Sequence, residues 1–265
     1  MIYSRRLPLQ TLYNARDLGG IPLSNGKTTN FGKLIRSELP DTINSFDKAF
    51  LNRYGVTASI DFRGEAEISV APSLLCGEPW LKYIHNPLWS IEVAHGKPEF
   101  EIYELDDTSK TPEEDAEDLR RISQVEWIPV YIAMAEANKD WVKRTFEYIA
   151  AESGCVHYHC MTGKDRTGIL TAMLLKAAGA ADEDVIADYA VSQIYLRPFY
   201  TAYRANDPAF TGNPDLTLAF YRTHPETMEG FLNFIYQKYG DMRAYIDSCG
   251  IGSELYGEVV GRLTN

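Results

Sequence analysis

Among the four cysteines of this chain, Cys160 stands six residues before an arginine, in the stretch His159-Cys160-Met161-Thr162-Gly163-Lys164-Asp165-Arg166-Thr167-Gly168. A thiol attacks as its thiolate, and a free cysteine with a pKa near ~8.5 is only about 3% ionised at pH 7. A nucleophilic role therefore demands surroundings that favour the anion. A helix N-terminus supplies about 0.3–2 kcal/mol, too little alone. The loop from Met161 through Thr162, Gly163 and Lys164 can add to it by curling until successive backbone N–H groups point at one centre, an anion nest. Arg166 supplies a fixed charge, Gly163 lets the backbone come close, Lys164 adds positive potential, and the Thr167 hydroxyl can donate to the thiolate. A nest that holds a thiolate also holds a phosphate. Together they imply in-line attack of Cys160 on phosphorus, a cysteinyl-phosphate intermediate and hydrolysis by water.

Such a loop needs a strand before it and a helix after it. Cys155 to His159 reads as the strand, and the nearly unbroken apolar run after Thr167, stopped by Gly179, as a buried helix. Asp140 to Ala151 has a helix-compatible pattern, and Val56, Ala58 and Ile60 alternate with Thr57, Ser59 and Asp61 as in a half-buried strand, led into by a helix around Phe46, Phe50 and Leu51. Helix then strand is the rhythm of an α/β fold. Residues 90–130 read as a surface insertion: segment 99–126 holds eleven Asp/Glu against Lys110, Arg120 and Arg121. Residues 195–225, with several prolines among aromatics, read as a lid or cover segment. Glu226 to Leu263 reads as two or three helices separated by Gly240 and Gly250.

Composition narrows the class. A chain that is 45% hydrophobic and 24% charged is globular and long enough to bury a core without staples. A net charge of -11 and the lack of a basic stripe argue against nucleic acid as a partner. The opening MIYSRRLPLQ lacks the apolar run of a secretory signal, and the most apolar segment, 169–181, is too short to cross a bilayer and contains Lys176. A cytoplasmic location is expected, export after leader removal staying open. Cysteines 76, 155, 160 and 249 have no C-x-x-C spacing, so no metal site and no cofactor is expected.

The stretch around Cys160 resembles the signature of protein tyrosine phosphatases, and its Gly163-Lys164-Asp165-Arg166 core resembles a bacterial and fungal tyrosine-phosphatase-like family acting on phosphotyrosine, sometimes phosphoserine/threonine, and phosphoinositides. Further agreement lies in Asn14-x-Arg16-Asp17-Leu18-Gly19-Gly20, Arg36-Ser37, Asp61-Phe62-Arg63-x-x-x-Glu67, Asp188-Tyr189-x-x-Ser192 and Tyr239-Gly240. The resemblance implies a single domain over 1–265 with a central, mainly parallel sheet flanked by helices. It also implies phosphorylated protein or phosphoinositide as substrate, and phosphate or vanadate as a ligand of the loop. The better-known tyrosine phosphatases carry their acid on a Trp-Pro-Asp loop. That tripeptide does not occur here, and Pro87-Leu88-Trp89-Ser90 offers no carboxylate, so Asp165 is the leading acid.

Other residues divide between roles. Asp61 and Arg63 either touch substrate or pair with each other at a strand end; Asn14, Arg16 and Asp17 brace the loop from beneath. His159 is read as structural, its ring bonding the loop, and Cys155 as core. Two alternatives from other classes stay in view: an inactive phosphate-binding module, which would be expected to lack the cysteine or the arginine, and a rhodanese-like sulfurtransferase, which would not need the Asp-Arg-Thr-Gly helix entry.

Overall fold

A computed structural model of the chain describes residues 4–88, 111, 114, 125–205 and 221–265, with the backbone alone for 202–205. Five strands form one sheet in the order β1-β2-β5-β3-β4: β1 (Arg16–Asp17), β2 (Leu34–Ser37), β3 (Val56–Asp61), β4 (Lys82–His85) and β5 (Cys155–His159). β1 runs antiparallel to β2, and the other pairs are parallel. β5, central and buried at every position, is therefore hydrogen-bonded on both sides, and its C-terminal end points the chain into residue 160.

The helices whose bounds lie among the described residues are α1 (Ser45–Tyr54), α2 (Glu65–Val70), α3 (Trp127–Ala137), α4 (Lys139–Ala151), α5 (Asp165–Ala178), α6 (Asp182–Ala190), α7 (Ser192–Tyr195), α8 (Arg197–Ala205), α9 (Pro225–Tyr239), α10 (Met242–Ser248) and α11 (Ser253–Thr264). Their packing leaves the sheet with two apolar layers. The larger joins Ile60, Val156 and Tyr158 to Trp141, Phe146, Leu170, Leu174 and Phe231. The smaller joins Ile35, Val56 and Cys155 to Leu7, Leu12, Leu51 and Leu75. Alternating residues of β5 thus serve opposite layers, as a strand's period of two requires.

The strands expected over 56–61 and 155–159 form at those residues. α5 starts at Asp165 rather than Thr167, which places Arg166 and Thr167 in the first turn, where backbone N–H groups lack intrahelical acceptors. The C-terminal part holds three helices, and Gly240 and Gly250 lie between them at positive φ. Most of the expected insertion at 90–130 lies outside the described residues. Its last residues differ from the expectation: 127–130 open α3, and Val130 is buried in the core while Ile128 and Pro129 stay exposed, because only one face of this turn meets the core. Of segment 195–225, residues 206–220 lie outside the described residues.

Phe62 ties core to loop. It is fully buried, meets Trp141 edge-on at 4.9 Å and Tyr158 at 5.9 Å, and its N–H donates to the His159 carbonyl at 3.0 Å. Phe62→Ala is expected to cost about 3–5 kcal/mol in urea unfolding; a loss under about 1 kcal/mol would show that the ring is not a core anchor.

Candidate active site

From Cys160 the chain turns through the four residues 161–164 into α5, and its carbonyl oxygens decide how it lies. The Met161 carbonyl accepts from the Leu39 N–H at 2.8 Å. Asn14 Nδ2 donates to the carbonyls of Thr162 at 3.1 Å and Gly163 at 3.2 Å, and Arg36 Nη2 donates to Gly163 at 2.6 Å. In a trans peptide the C=O and the following N–H point in opposite directions. With the oxygens of 161, 162 and 163 held against β2 and the segment before β1, the N–H groups of 162, 163 and 164 are turned to the other side, as in an anion nest. Gly163 is required twice over: its φ is +65°, and a Cβ there would lie 2.1 Å from the Ser37 carbonyl oxygen.

The tethers rest on one carboxylate. Asp188, from α6, is 2% exposed and receives Arg16 Nε at 3.0 Å, Arg36 Nη1 at 2.9 Å and the Arg5 guanidinium. Arg16 also donates to the Asn14 carbonyl at 2.9 Å and to its Oδ1 at 2.7 Å, which turns the Asn14 amide toward the loop, and to Ser192 Oγ at 2.9 Å. Burial would raise the Asp188 pKa, but the charges of Arg16, Arg36 and Arg5 outweigh it and hold the carboxyl below the ordinary range. Burial and the neighbouring Arg16 pull Arg36 down to about 10, with Asp188 opposing them, so its guanidinium stays charged at neutral pH.

Arg166 is aimed by Glu67. Its Nη1 and Nη2 donate to the two Glu67 carboxylate oxygens at 2.6 Å each, a bidentate fork, and Glu67 Oε2 also accepts from the Gly64 N–H at the start of α2. Burial works against the Arg166 charge, but Glu67 overrides it and raises the arginine's pKa.

The two histidines of β5 stack at 5.3 Å. His159 Nδ1 lies 3.1 Å from the Cys160 carbonyl, which makes Nδ1 the protonated nitrogen, and burial lowers the ring's pKa despite Asp61. The structural reading of His159 fits this contact. His157 is held at 2.8 Å on both ring nitrogens, by the hydroxyls of Ser37 and Ser59. Asp61 and Arg63 are both fully buried, paired at 2.7 Å. Asp61 also accepts from the Tyr83 hydroxyl, and Arg63 donates to the Ala71 carbonyl. Of their two expected roles, pairing is the one formed: their polar groups are spent on each other and on these neighbours, with no surface left for substrate.

Asp165 stands where the loop meets solvent, partly exposed like Met161 and Thr162. Its Oδ1 accepts from the Tyr131 hydroxyl at 2.6 Å, which contacts the Tyr189 hydroxyl at 2.9 Å. Lys164 is turned toward its neighbours. It is 2% exposed, its ammonium lies 5.2 Å from the centre of the Trp127 ring and 3.7 Å from Asp165, and it donates to the Arg222 carbonyl. The Thr167 hydroxyl is buried and has no hydrogen-bond partner among the described residues.

Sequence reasoning missed the partners of this machinery. Glu67 and Asp188 sit in the motifs singled out, but their distance along the chain from Arg166, Arg16 and Arg36 hid what they hold. Tyr131 carried no signal beyond being one aromatic on a helix.

Comparison with known proteins agrees with this geometry. Residues 7–265 match the model of the tyrosine phosphatase family, and the chain belongs to that family. It is 29% identical, over 69% of its length, to a Cupriavidus necator protein provisionally named a tyrosine-protein phosphatase, and 31% identical, over 46% of its length, to a tyrosine-protein phosphatase of Nostoc commune. The matched regions span 61% and 46% of those two proteins.

Asp188→Asn leaves two buried guanidinium groups unneutralised and is expected to cost about 3–5 kcal/mol in chemical unfolding. The sign with pH follows from a depressed carboxyl: its contribution is present above the unfolded value of ~3.9 and is lost as pH falls below it toward the folded value. Wild type should therefore lose stability below about pH 4, and the variant should show less of that loss. Equal acid slopes in the two proteins would contradict the Asp188 assignment.

Proposed function

We propose that the protein is a cysteine-dependent phosphatase that hydrolyses phosphomonoesters through a cysteinyl-phosphate intermediate, with phosphotyrosine as the leading substrate. The observation that carries the reading is the outward tethering of the Met161, Thr162 and Gly163 carbonyls, which turns a ring of amides toward the nucleophile. Arg166 lies at the same loop, aimed by Glu67. In the first step Cys160 Sγ attacks phosphorus, the bond from phosphorus to the ester oxygen breaks, and Asp165 delivers a proton to the leaving oxygen. In the second, water attacks the phosphorus, Asp165 takes its proton, the P–S bond breaks and phosphate leaves. The amides of the loop and the Arg166 N–H groups not held by Glu67 meet the equatorial oxygens in both steps, where charge is redistributed. The Thr167 hydroxyl, buried without another partner among the described residues, supplies a donor for the sulfur as it is released.

Phosphotyrosine leads because the chain belongs to the tyrosine phosphatase family; Tyr131, Tyr189 and Tyr200, buried beside Asp165, hold the acid rather than meet substrate. Lys164, whose charge would favour a phosphoinositide headgroup, is engaged with Trp127, Asp165 and Arg222. Phosphoserine/threonine and phosphoinositides are accordingly placed behind phosphotyrosine.

Cys160→Ser is expected to lower aryl phosphate turnover at least a thousandfold (~4 kcal/mol or more in transition-state stabilisation) with an unchanged melting temperature. Residual turnover above about a tenth would reject the nucleophile. For Asp165, log kcat is plotted against leaving-group pKa. Asp165→Asn should steepen the dependence, slowing phosphotyrosine by about 10²–10⁴ while sparing activated aryl esters; parallel lines for variant and wild type would remove Asp165 as the acid.

A further inference from the structure

Glu38 is a buried carboxylate that the chemistry above does not use. It follows directly on β2 and is 1% exposed. One oxygen accepts from the Tyr13 N–H and the other from the Asn14 N–H, the latter at 2.9 Å. Both residues on either side of it touch the cysteine loop: the Ser37 carbonyl is the atom against which Gly163 packs, and the Leu39 N–H holds the Met161 carbonyl. Asn14, whose backbone Glu38 grips, holds the Thr162 and Gly163 carbonyls with its side chain. Glu38 thus joins the two segments, 13–14 and 37–39, that form the outer wall of the loop.

We infer that Glu38 is a positioning residue whose ionised form fixes Asn14 and thereby the loop's tethered carbonyls, and whose protonation releases them. The reasoning is one of complementarity. Two backbone N–H donors, one to each oxygen, fit a group that only accepts. A proton on either oxygen places a donor beside a donor, and the cheapest relief is withdrawal of residues 13–14, which carries the Asn14 amide away from Thr162 and Gly163. Few charges face this carboxylate among the described residues. Arg16 of β1 favours the anion; from β5, His157 reaches the same strand end only through the Ser37 hydroxyl, which itself donates to the Glu38 carbonyl. The segment before β1 brings backbone amides. Burial wins over these contacts and pushes the carboxyl up to about 7, so the release falls within the range in which the proposed reaction runs.

The inference rests on the phosphatase reading only for its consequence, and the test separates the two. Amide hydrogen exchange of residues 162–164, corrected for intrinsic rate, is followed from pH 5.5 to 8.5 in wild type, E38Q and Asn14→Ala, alongside kcat/KM for an aryl phosphate. In wild type, protection of these amides should rise about tenfold through an apparent pKa near 7, and kcat/KM should gain a limb at the same pH. E38Q, which mimics the protonated acid at every pH, should lack both changes and hold kcat/KM about tenfold below wild type at pH 8. Asn14→Ala should uncouple the loop, so that adding E38Q to it costs nothing further.

Stability supplies a control for folding. A glutamate that keeps its proton to about 7 when native, but releases it near ~4.3 when unfolded, contributes stability below the unfolded value that is lost as pH rises through the folded one. Wild type should show that loss, and E38Q should not. If wild type turns over no aryl phosphate while loop protection still follows Glu38, the phosphatase reading falls and the positioning role stands. If E38Q keeps the wild-type protection profile, the positioning role is overturned.

Discussion

Everything about the cysteine loop goes back to the burial of Asp188 among Arg5, Arg16 and Arg36. Two guanidinium groups packed side by side in a core would repel each other; a carboxylate between them makes the cluster tenable. Once held, each arginine has a free edge to spend. Arg36 spends its own on the Gly163 carbonyl, and Arg16 spends its own on orienting Asn14. The backbone of the loop is thus shaped from outside, by charges on β1, β2 and α6. The inner surface of amides is what remains when the carbonyls have been taken.

A second consequence is electrostatic. The cluster carries more positive than negative charge and reaches the loop through Arg36 and Asn14, while Arg166 stands at the loop's end with Glu67 fixing its direction. In a medium that screens less than water, such fixed charges act on an anion at the loop more strongly than a helix terminus alone. Loop geometry and loop potential therefore have a common origin, and the family's motifs at 14–20, 36–37 and 188–192 are explained as parts of a single support.

The sequence carried the centre of this site more clearly than its support. β5, the loop and α5 are contiguous, so a change from strand to helix period around Cys160-x5-Arg166 was enough to place nucleophile, glycine and arginine together. β3 was legible for the same reason, its alternation being intact over Val56–Asp61. Asp61 and Arg63 were ambiguous because a pair two apart at a strand end can face each other or the opening, and only the hydroxyl of Tyr83, across from them on β4, decides it. Lys164, a cation beside Arg166, suggested a phosphate; its contact with the Trp127 ring was not legible, since that ring comes from a helix whose position no local pattern reveals. Contacts such as Arg16 with Asp188 join residues far apart in the chain, and a single sequence has no periodicity that reports them.

The covalent intermediate is where the account is most exposed. Rapid mixing with an aryl phosphate, acid quenching within one turnover and peptide mapping by mass spectrometry should find one phosphoryl group on the peptide containing Cys160, formed and lost at rates that account for turnover. Turnover at full rate with no phosphoryl group on Cys160, or with the label on another residue, would contradict the claim that the tethered loop exists to serve that sulfur.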